Sequence, residues 1–433
     1  MIWLALLGSV VAWICVVTSL VFLTAYAFRH HVVALTRYRQ APAKDTGELA
    51  GYYTPRVTVL IPMHNEEKVA ADVLESLVQA DYDPERLQII PINDRSSDAT
   101  AKVVDRFAAR YPRLIKPLHR THYEGVDAPG GKPAALQYAM ELATGEVILL
   151  FDADYIPARG LIQMLAAPFC DPQIGAVMGR VVPYNSGGSL LAGLLTLERS
   201  AGYQVSQMAH FNAGLSAQFG GTVGGVRKSA LEAVGGWNTA SLTEDTDVTC
   251  RLLLNGWKVA YVNRAECYEE VPERWAVRKR QLMRWVMGHT ECFHTYAGAT
   301  ASSPYLTRTE RWDALFTLAC YFTAPAVVLG WLGSVYLFFT QPSWLQPWLM
   351  LTLVFAGFQT FANQAAFVEM GVAALLDGAR HRILLLPFSL LNYFASTAAV
   401  CEALAIYYWR RQRGQGSAKW NKTTRFRAAE ART

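Results

Sequence analysis

Glu146-Val147-Ile148-Leu149-Leu150-Phe151-Asp152-Ala153-Asp154 is the stretch that decides how this chain folds. Its apolar run, Val147 to Phe151, is short for a helix and fits a strand buried on both faces, as at the centre of a parallel sheet. The two aspartates that follow stand either side of one residue, so in an extended or tightly turned segment their side chains share a side. Two carboxylates aimed at one point suit a hard divalent cation, Mg²⁺ or Mn²⁺, whose shell a ligand's phosphates complete. Aspartates also cap ordinary turns, so the pair takes its meaning from its place at a strand end.

Upstream the chain alternates. Val57-Thr58-Val59-Leu60-Ile61 is a β-branched run ended by Pro62, and Val69, Val73, Leu74, Leu77 and Val78 give the segment from Glu66 to Ala80 one apolar helical face. Leu87 to Ile92 reads as a second strand, Asn93 to Asp98 as a turn, and Ala99 to Arg110 as a second helix. Strand, helix, strand, helix predicts an α/β domain with a parallel-rich sheet over residues 55–270. Ligands of such sheets bind outside the carboxyl ends of the strands, where Asn65, Asp94, Asp152 and Asp154 fall. The Gly- and Pro-rich stretch from His119 to Gly131 reads as a mobile connection.

Around this domain the composition changes. Of 433 residues, 52% are apolar and 17% charged, and the excess is concentrated. No charged residue occurs from Met1 to Phe28, between Asp313 and Glu369, or between Arg382 and Glu402. A membrane helix needs roughly 20 apolar residues. The first and third stretches hold one each, and the middle one has room for two, with 341–348 as a Pro- and Trp-rich interfacial turn. The division expected is an anchor at 1–28, a basic linker at 29–54, the α/β domain, interfacial helices at 271–313, about three membrane helices within 314–409 with an interfacial segment near 369–382, and a basic tail at 410–433. Ala25-Tyr26-Ala27 mimics a signal cleavage site, but no basic residue precedes the run, so an uncleaved anchor is expected. Arg29, Arg37 and Arg39 after it put the next segment in the cytoplasm by the positive-inside rule. Disordered, collagen-like and disulfide-scaffold classes are excluded, and a net charge of +5 is too mild for a nucleic-acid binder. The seven cysteines show no zinc spacing.

Two further motifs carry candidate chemistry. Thr243-Glu244-Asp245 opens a helical run and reads either as an ordinary helix start, where Thr and acids are enriched, or as a carboxylate held ready as general base. Gln281-Leu282-Met283-Arg284-Trp285 puts Gln281, Arg284 and Trp285 on one helical face. Arg284 could fork onto a diphosphate and Trp285 could carry a sugar ring, while a basic helix lying on anionic lipid is the plainer reading.

In order, Pro62-Met63-His64-Asn65-Glu66-Glu67, Asp94, Gly131-Lys132, Asp152-Ala153-Asp154, Thr243-Glu244-Asp245 and the Q-x-x-R-W element resemble glycosyltransferase family 2, in its membrane-embedded, mostly processive branch of cellulose, chitin-oligosaccharide, hyaluronan and poly-N-acetylglucosamine synthases. The resemblance spans Val57 to Trp285. It implies a GT-A fold and a nucleotide-sugar donor, typically UDP-linked. It implies that Glu66 and Asp94 hold the nucleoside, that Lys132 lies near the nucleotide, and that Asp152 and Asp154 bind diphosphate and Mg²⁺ or Mn²⁺. Asp245 would be the base, with Glu244 next in line; Gln281 and Arg284 would face the pyrophosphate and Trp285 the acceptor. Phe219, Gly221 and Thr222 match an acceptor-site element that often has Cys where Gly220 stands. One direct displacement would invert the anomeric centre. The main expectation is a growing β-linked polysaccharide made at the cytoplasmic face of the cell (inner) membrane, coupled to export and with room for an accessory membrane subunit; the alternative is transfer of one sugar to a lipid acceptor. The stretch Trp420 to Arg425 loosely resembles a gating loop of cellulose synthases.

Overall fold

The computed structural model describes residues 2–39, 49–120, 131–215, 217–340 and 365–414, together with positions 347, 350, 354 and 357. Eight strands form one sheet, in the order β3-β2-β1-β4-β7-β6-β8-β5. They are β1 (Val57–Met63), β2 (Leu87–Asp94), β3 (Leu118–Arg120), β4 (Val147–Leu150), β5 (Ile156–Pro157), β6 (Ile174–Pro183), β7 (Gly224–Arg227) and β8 (Lys258–Glu269). β1 lies between β2 and β4 and is parallel to both, with Val57 opposite Leu87 on one side and Val147 on the other. That shared register brings the ends of three buried strands to one rim. β7 runs antiparallel to β4 and β6, and so carries the sheet on into a second half.

The short apolar runs are central strands because both faces are covered. Every residue of β4 is buried, and the helices Ala70–Val78 and Thr100–Arg110 set Val73, Leu74, Leu77, Val104 and Phe107 into the same core. The first helix starts at Ala70 rather than Glu66. Asn65 takes a left-handed backbone (φ 55), which Asn tolerates, and ties the rims of β1 and β2: its N–H donates to Ser96 Oγ at 2.9 Å, and its Oδ1 accepts the Ser97 N–H at 2.7 Å.

Among the described residues three helical stretches are long and apolar enough to cross a membrane: Leu6–Tyr38, Cys320–Thr340 and Arg380–Gln412. Their flanks carry exposed apolar side chains, among them Val10, Ile14, Val21, Leu332, Phe339 and Leu391, as a lipid-facing surface requires. The first two pack through small residues, with Gly330 against Ser19 and Gly333 against the Ala12 carbonyl. The N-terminal helix (Ile2–Arg39) runs past Phe28 through the segment read as a basic linker. Arg37 turns inward there: it is buried and donates through Nε to the Gln204 carbonyl at 2.9 Å. Near 369–382 a helix (Ala365–Leu376) ends at Gly378 (φ 69), and a 3-10 turn (Arg380–Leu385) leads into the last long helix, Leu386–Gln412. The connection at 121–130, linker residues 40–48, the turn at 341–348 apart from Pro347, and the tail from 415 on, with its Trp420–Arg425 motif, lie outside the described residues.

Candidate active site

At the strand-end rim lies a cavity of about 590 Å³. Glu66, Lys132, Asp152, Asp154, Glu244 and Asp245 line it, as do Gln281, Arg284, Trp285 and Thr222. Residues far apart in sequence thus meet through four structural devices: the ends of β1 and β4, the start of the helix Lys132–Ala139, the start of the helix Glu244–Leu254, and one face of the helix Trp275–Ser302.

Lys132 is the electrostatic hub. Its Nζ sits 2.8 Å from Asp152 Oδ1 and 3.3 Å from Glu244 Oε1, and it donates to the Gly221 carbonyl at 2.8 Å. Burial works against its charge, yet Asp152 and Glu244 outweigh burial and hold the ammonium's pKa above its usual value. Burial pushes the Glu244 and Asp245 carboxyls up from the usual range, against the pull of Lys132 and Arg284. Asp245 Oδ1 accepts the Thr246 N–H at 2.7 Å. Thr243 makes no side-chain cap, so the motif's acids face the cavity rather than serving a Thr-capped helix start. A carboxylate with a raised pKa beside a cation is suited to taking a proton.

The neighbouring loop is shaped to fit. Gly221 is left-handed (φ 71), and a Cβ there would stand 3.0 Å from the Asp245 Cβ, so only glycine lets the loop approach. Thr222 Oγ1 accepts the Asp152 N–H at 3.1 Å and so positions the first aspartate. Phe219 is fully buried and packs near Trp237; its side chain belongs to the core, not the cavity wall. Asp94 also lies outside the lining. Its Oδ1 accepts from Arg95 Nε at 2.9 Å and Arg120 Nη1 at 3.1 Å.

Metal binding can be judged from the donor set. Among the described residues no three or more His, Cys, Asp or Glu side chains gather to cage an ion. Asp152 and Asp154 supply hard oxygen donors, so a divalent cation there would need a ligand's phosphate oxygens to fill its shell. Among the described residues eight carboxylates line the cavity against four Lys or Arg side chains, which makes a bare diphosphate unwelcome without added positive charge.

Several lining residues were not legible as site residues in the sequence. The helix Leu190–Ser200 continues through a π-helical stretch, Ala201–Gln207, into Met208–Asn212, and presents Arg199, Tyr203 and His210 to the cavity. A π stretch often marks functional positions, but no composition signal announces one. Arg199 Nε donates to Glu269 Oε1 at 2.7 Å, and the Tyr155 hydroxyl donates to Glu269 Oε2 at 2.7 Å. Arg199 and Arg278 each lie 5.2 Å from the Trp285 ring centroid, so the indole already carries two guanidinium contacts. Arg278 pairs in turn with Glu198 and donates to Gln281 Oε1 at 3.2 Å. The cavity then reaches the apolar helices, where Tyr26, Arg29 and His30 line it together with Phe316, Thr317 and Tyr321, and Arg29 Nη2 donates to Thr317 Oγ1 at 3.1 Å. Arg29 Nε donates to Asp313 Oδ1 at 2.8 Å, and His210 Nε2 lies 3.2 Å from the same oxygen.

Comparison with known proteins agrees with this geometry. The chain is 32% identical over 271 residues to a probable glycosyltransferase, YdaM, of Bacillus subtilis, covering 62% of each. It is 29% identical to the beta-monoglucosyldiacylglycerol synthase of Synechocystis, over 59% of this chain and 52% of that one. It is 25% identical to glucomannan 4-beta-mannosyltransferase 7 of Arabidopsis thaliana, over 70% of this chain and 57% of that one. The chain therefore spans between half and two thirds of the length of these relatives. A mannosyltransferase of Pyrobaculum calidifontis, solved in complex with GDP-Man and Mn²⁺, shares the fold at a TM-score of 0.58 and 20% identity, covering 85% of this chain and 98% of its own. The family model described as "Glycosyltransferase like family 2" matches residues 55–288, and the chain belongs to that family.

Proposed function

We propose that this chain is an inverting membrane glycosyltransferase that moves one sugar from a nucleotide-sugar to a lipid acceptor. The observation that carries the lipid reading is the continuity of the cavity, from Asp152 and Asp245 to Tyr26, Arg29 and His30 on an apolar N-terminal helix. An acceptor that lives in the membrane reaches such a site from its side. The glycolipid synthase among the relatives supports the same acceptor class over the polysaccharide first expected. The three long apolar helices support an integral membrane protein, and the arginines after the first apolar run support a cytoplasmic catalytic domain.

In the reaction an acceptor hydroxyl attacks the anomeric carbon. The new carbon–oxygen bond forms as the bond to the nucleoside diphosphate breaks, and the configuration inverts. Asp245 removes the hydroxyl proton, its burial having raised its affinity for protons. Arg284 stabilises negative charge on the departing diphosphate. Lys132 holds Asp152 and Glu244 in place. Asp152 and Asp154 would hold Mg²⁺ or Mn²⁺, which supplies charge neutralisation at the diphosphate. Glu66, which lines the cavity where Asp94 does not, would serve the nucleoside, its backbone fixed by its N–H donating to Thr100 Oγ1 at 2.8 Å.

The test is to incubate the purified full chain with UDP-glucose or GDP-mannose, Mn²⁺ and a membrane-lipid extract, and to size the product. A glycolipid bearing one sugar is expected. A long water-extractable polymer would overturn the single-transfer reading and restore the synthase.

A further inference from the structure

Within the lipid-acceptor reading, we infer that the acceptor is an uncharged, hydroxyl-bearing headgroup, read by His289 at the catalytic end of the cavity and by His30 at its membrane end. Both imidazoles line the cavity. Each has one buried ring nitrogen with no hydrogen-bond partner among the described residues: Nδ1 of His289 and Nε2 of His30. A buried polar atom left unpaired is costly, so two of them on residues that line one cavity point to a ligand that pairs them.

The surroundings define what each nitrogen offers. His289 Nε2 lies 3.1 Å from Thr246 Oγ1, and that oxygen accepts from Gln218 Nε2 at 3.1 Å. That hydroxyl has a second acceptor in Asp245 Oδ1, but at 3.5 Å; its proton is best directed at the nearer His289 Nε2, which puts the ring proton on Nδ1 as a donor. Burial pushes the imidazole's pKa down to about 4, so the ring stays neutral. Thr246 follows Asp245 directly, so the same contact ties His289 to the segment that carries the base. At the other end Glu369 Oε1 takes His30 Nδ1 at 2.6 Å, leaving Nε2 as the atom turned to a ligand.

Charge selects the class of headgroup. The cations on this side of the cavity are matched, Arg29 by Asp313 and Arg199 by Glu269. Carboxylates outnumber Lys and Arg in the lining as a whole. Among the described residues a lipid phosphate would meet no unmatched cation there; a glycerol-like hydroxyl needs only the two imidazole nitrogens and no counter-ion.

The experiment uses the full chain in detergent with Mn²⁺ and whichever of UDP-glucose or GDP-mannose it hydrolyses. The acceptor probes are dioctanoylglycerol, dioctanoyl phosphatidylglycerol, which carries free hydroxyls beside its phosphate, and cellotetraose. Transfer to dioctanoylglycerol at least about tenfold above phosphatidylglycerol is expected, a preference of ~1.4 kcal/mol. Equal or faster transfer to phosphatidylglycerol overturns the inference. Preference for cellotetraose would sink the lipid reading while leaving the uncharged-acceptor inference intact. His289→Ala should raise KM for the preferred acceptor about tenfold, with donor KM shifted less than about twofold. His289→Asn keeps a donor near Nδ1 and should rescue acceptor KM, whereas His289→Gln keeps only the Thr246 side. Rescue by Gln and not by Asn, or a parallel rise in donor KM, would show that His289 merely supports the fold.

Discussion

The two ends of the cavity are built on opposite electrostatic plans. At the strand-end floor carboxylates crowd together with one lysine between them, Lys132 touching both Asp152 and Glu244. At the membrane-side wall the arginines are paired off, Arg29 with Asp313 and Arg199 with Glu269, and Glu369 Oε1 lies 2.6 Å from His30 Nδ1. The floor is thus left acidic and reactive, which suits binding a cation with a diphosphate and taking a proton. The wall is polar but nearly neutral, which suits a headgroup held by hydrogen bonds beside apolar helices. Like charges held close at a functional site cost stability, and pairs at the wall give it back.

That contrast can be broken most severely at Asp245. A general base contributes about 10²–10⁴-fold in rate, ~3–5 kcal/mol of barrier. Asp245→Asn should cut kcat by at least about a hundredfold while donor affinity stays near normal, and single-turnover kinetics with a calorimetric donor titration check both. Because burial raises the Asp245 pKa in the folded protein, the acid limb of kcat/KM should lie above the usual carboxylate range of about 4. Activity is present above that pKa and is lost as pH falls through it; the Asn variant's residual rate should lack this limb.

The second effect belongs to the paired aspartates. Asp154→Asn should weaken Mn²⁺-dependent nucleotide binding about a hundredfold, ~2.7 kcal/mol, and excess EDTA should do the same to the unaltered chain. Full turnover in EDTA would remove the metal from the floor altogether.

At the wall the expected loss is in stability. Asp313→Asn leaves Arg29 with a weaker partner at a part-buried position, a cost of about 1.5–3 kcal/mol. A lower Tm in detergent is expected, and the double variant Arg29→Met with Asp313→Asn should recover part of it. No change in Tm would show that the wall's pairs are solvated and that the contrast is one of appearance.

Trp285 should give the smallest effect and sharpen the boundary between the ends. Its ring holds Arg199 and Arg278 at 5.2 Å each, so Trp285→Ala should perturb the acceptor wall more than the floor. A rise in acceptor KM of about fivefold to tenfold, ~1–1.4 kcal/mol, is expected with donor affinity retained. Equal loss of donor binding would assign the indole to the floor.

Much of the floor was legible because its residues sit where local rules are strict. A buried strand must end, and what stands at its end points into the ligand crevice, so Asp152 and Asp154 could be read from the apolar run before them. Phe219 and Asp94 show the limit. Their types and order matched the pattern, yet one side chain points into the core and the other is held by Arg95 and Arg120 outside the lining. The wall gave almost no signal. Arg29 and Arg37 follow an apolar run and read as a solvated basic linker, but a single helix continues through them and buries their partners' side of it.

The sequence by itself determined the α/β domain, the apolar helices and the acids and basic helix of the floor, because strand burial, helical spacing and the need for apolar length in a membrane are local properties. Only the tertiary structure decided the wall: which arginine meets which carboxylate, that Trp285 lies under two guanidiniums, and that His30 and His289 face the same space. Those contacts join residues up to several hundred positions apart, as Arg29 and Asp313 are. Whether a charge is solvated or paired depends on what the fold brings beside it, and no window of sequence contains that neighbour.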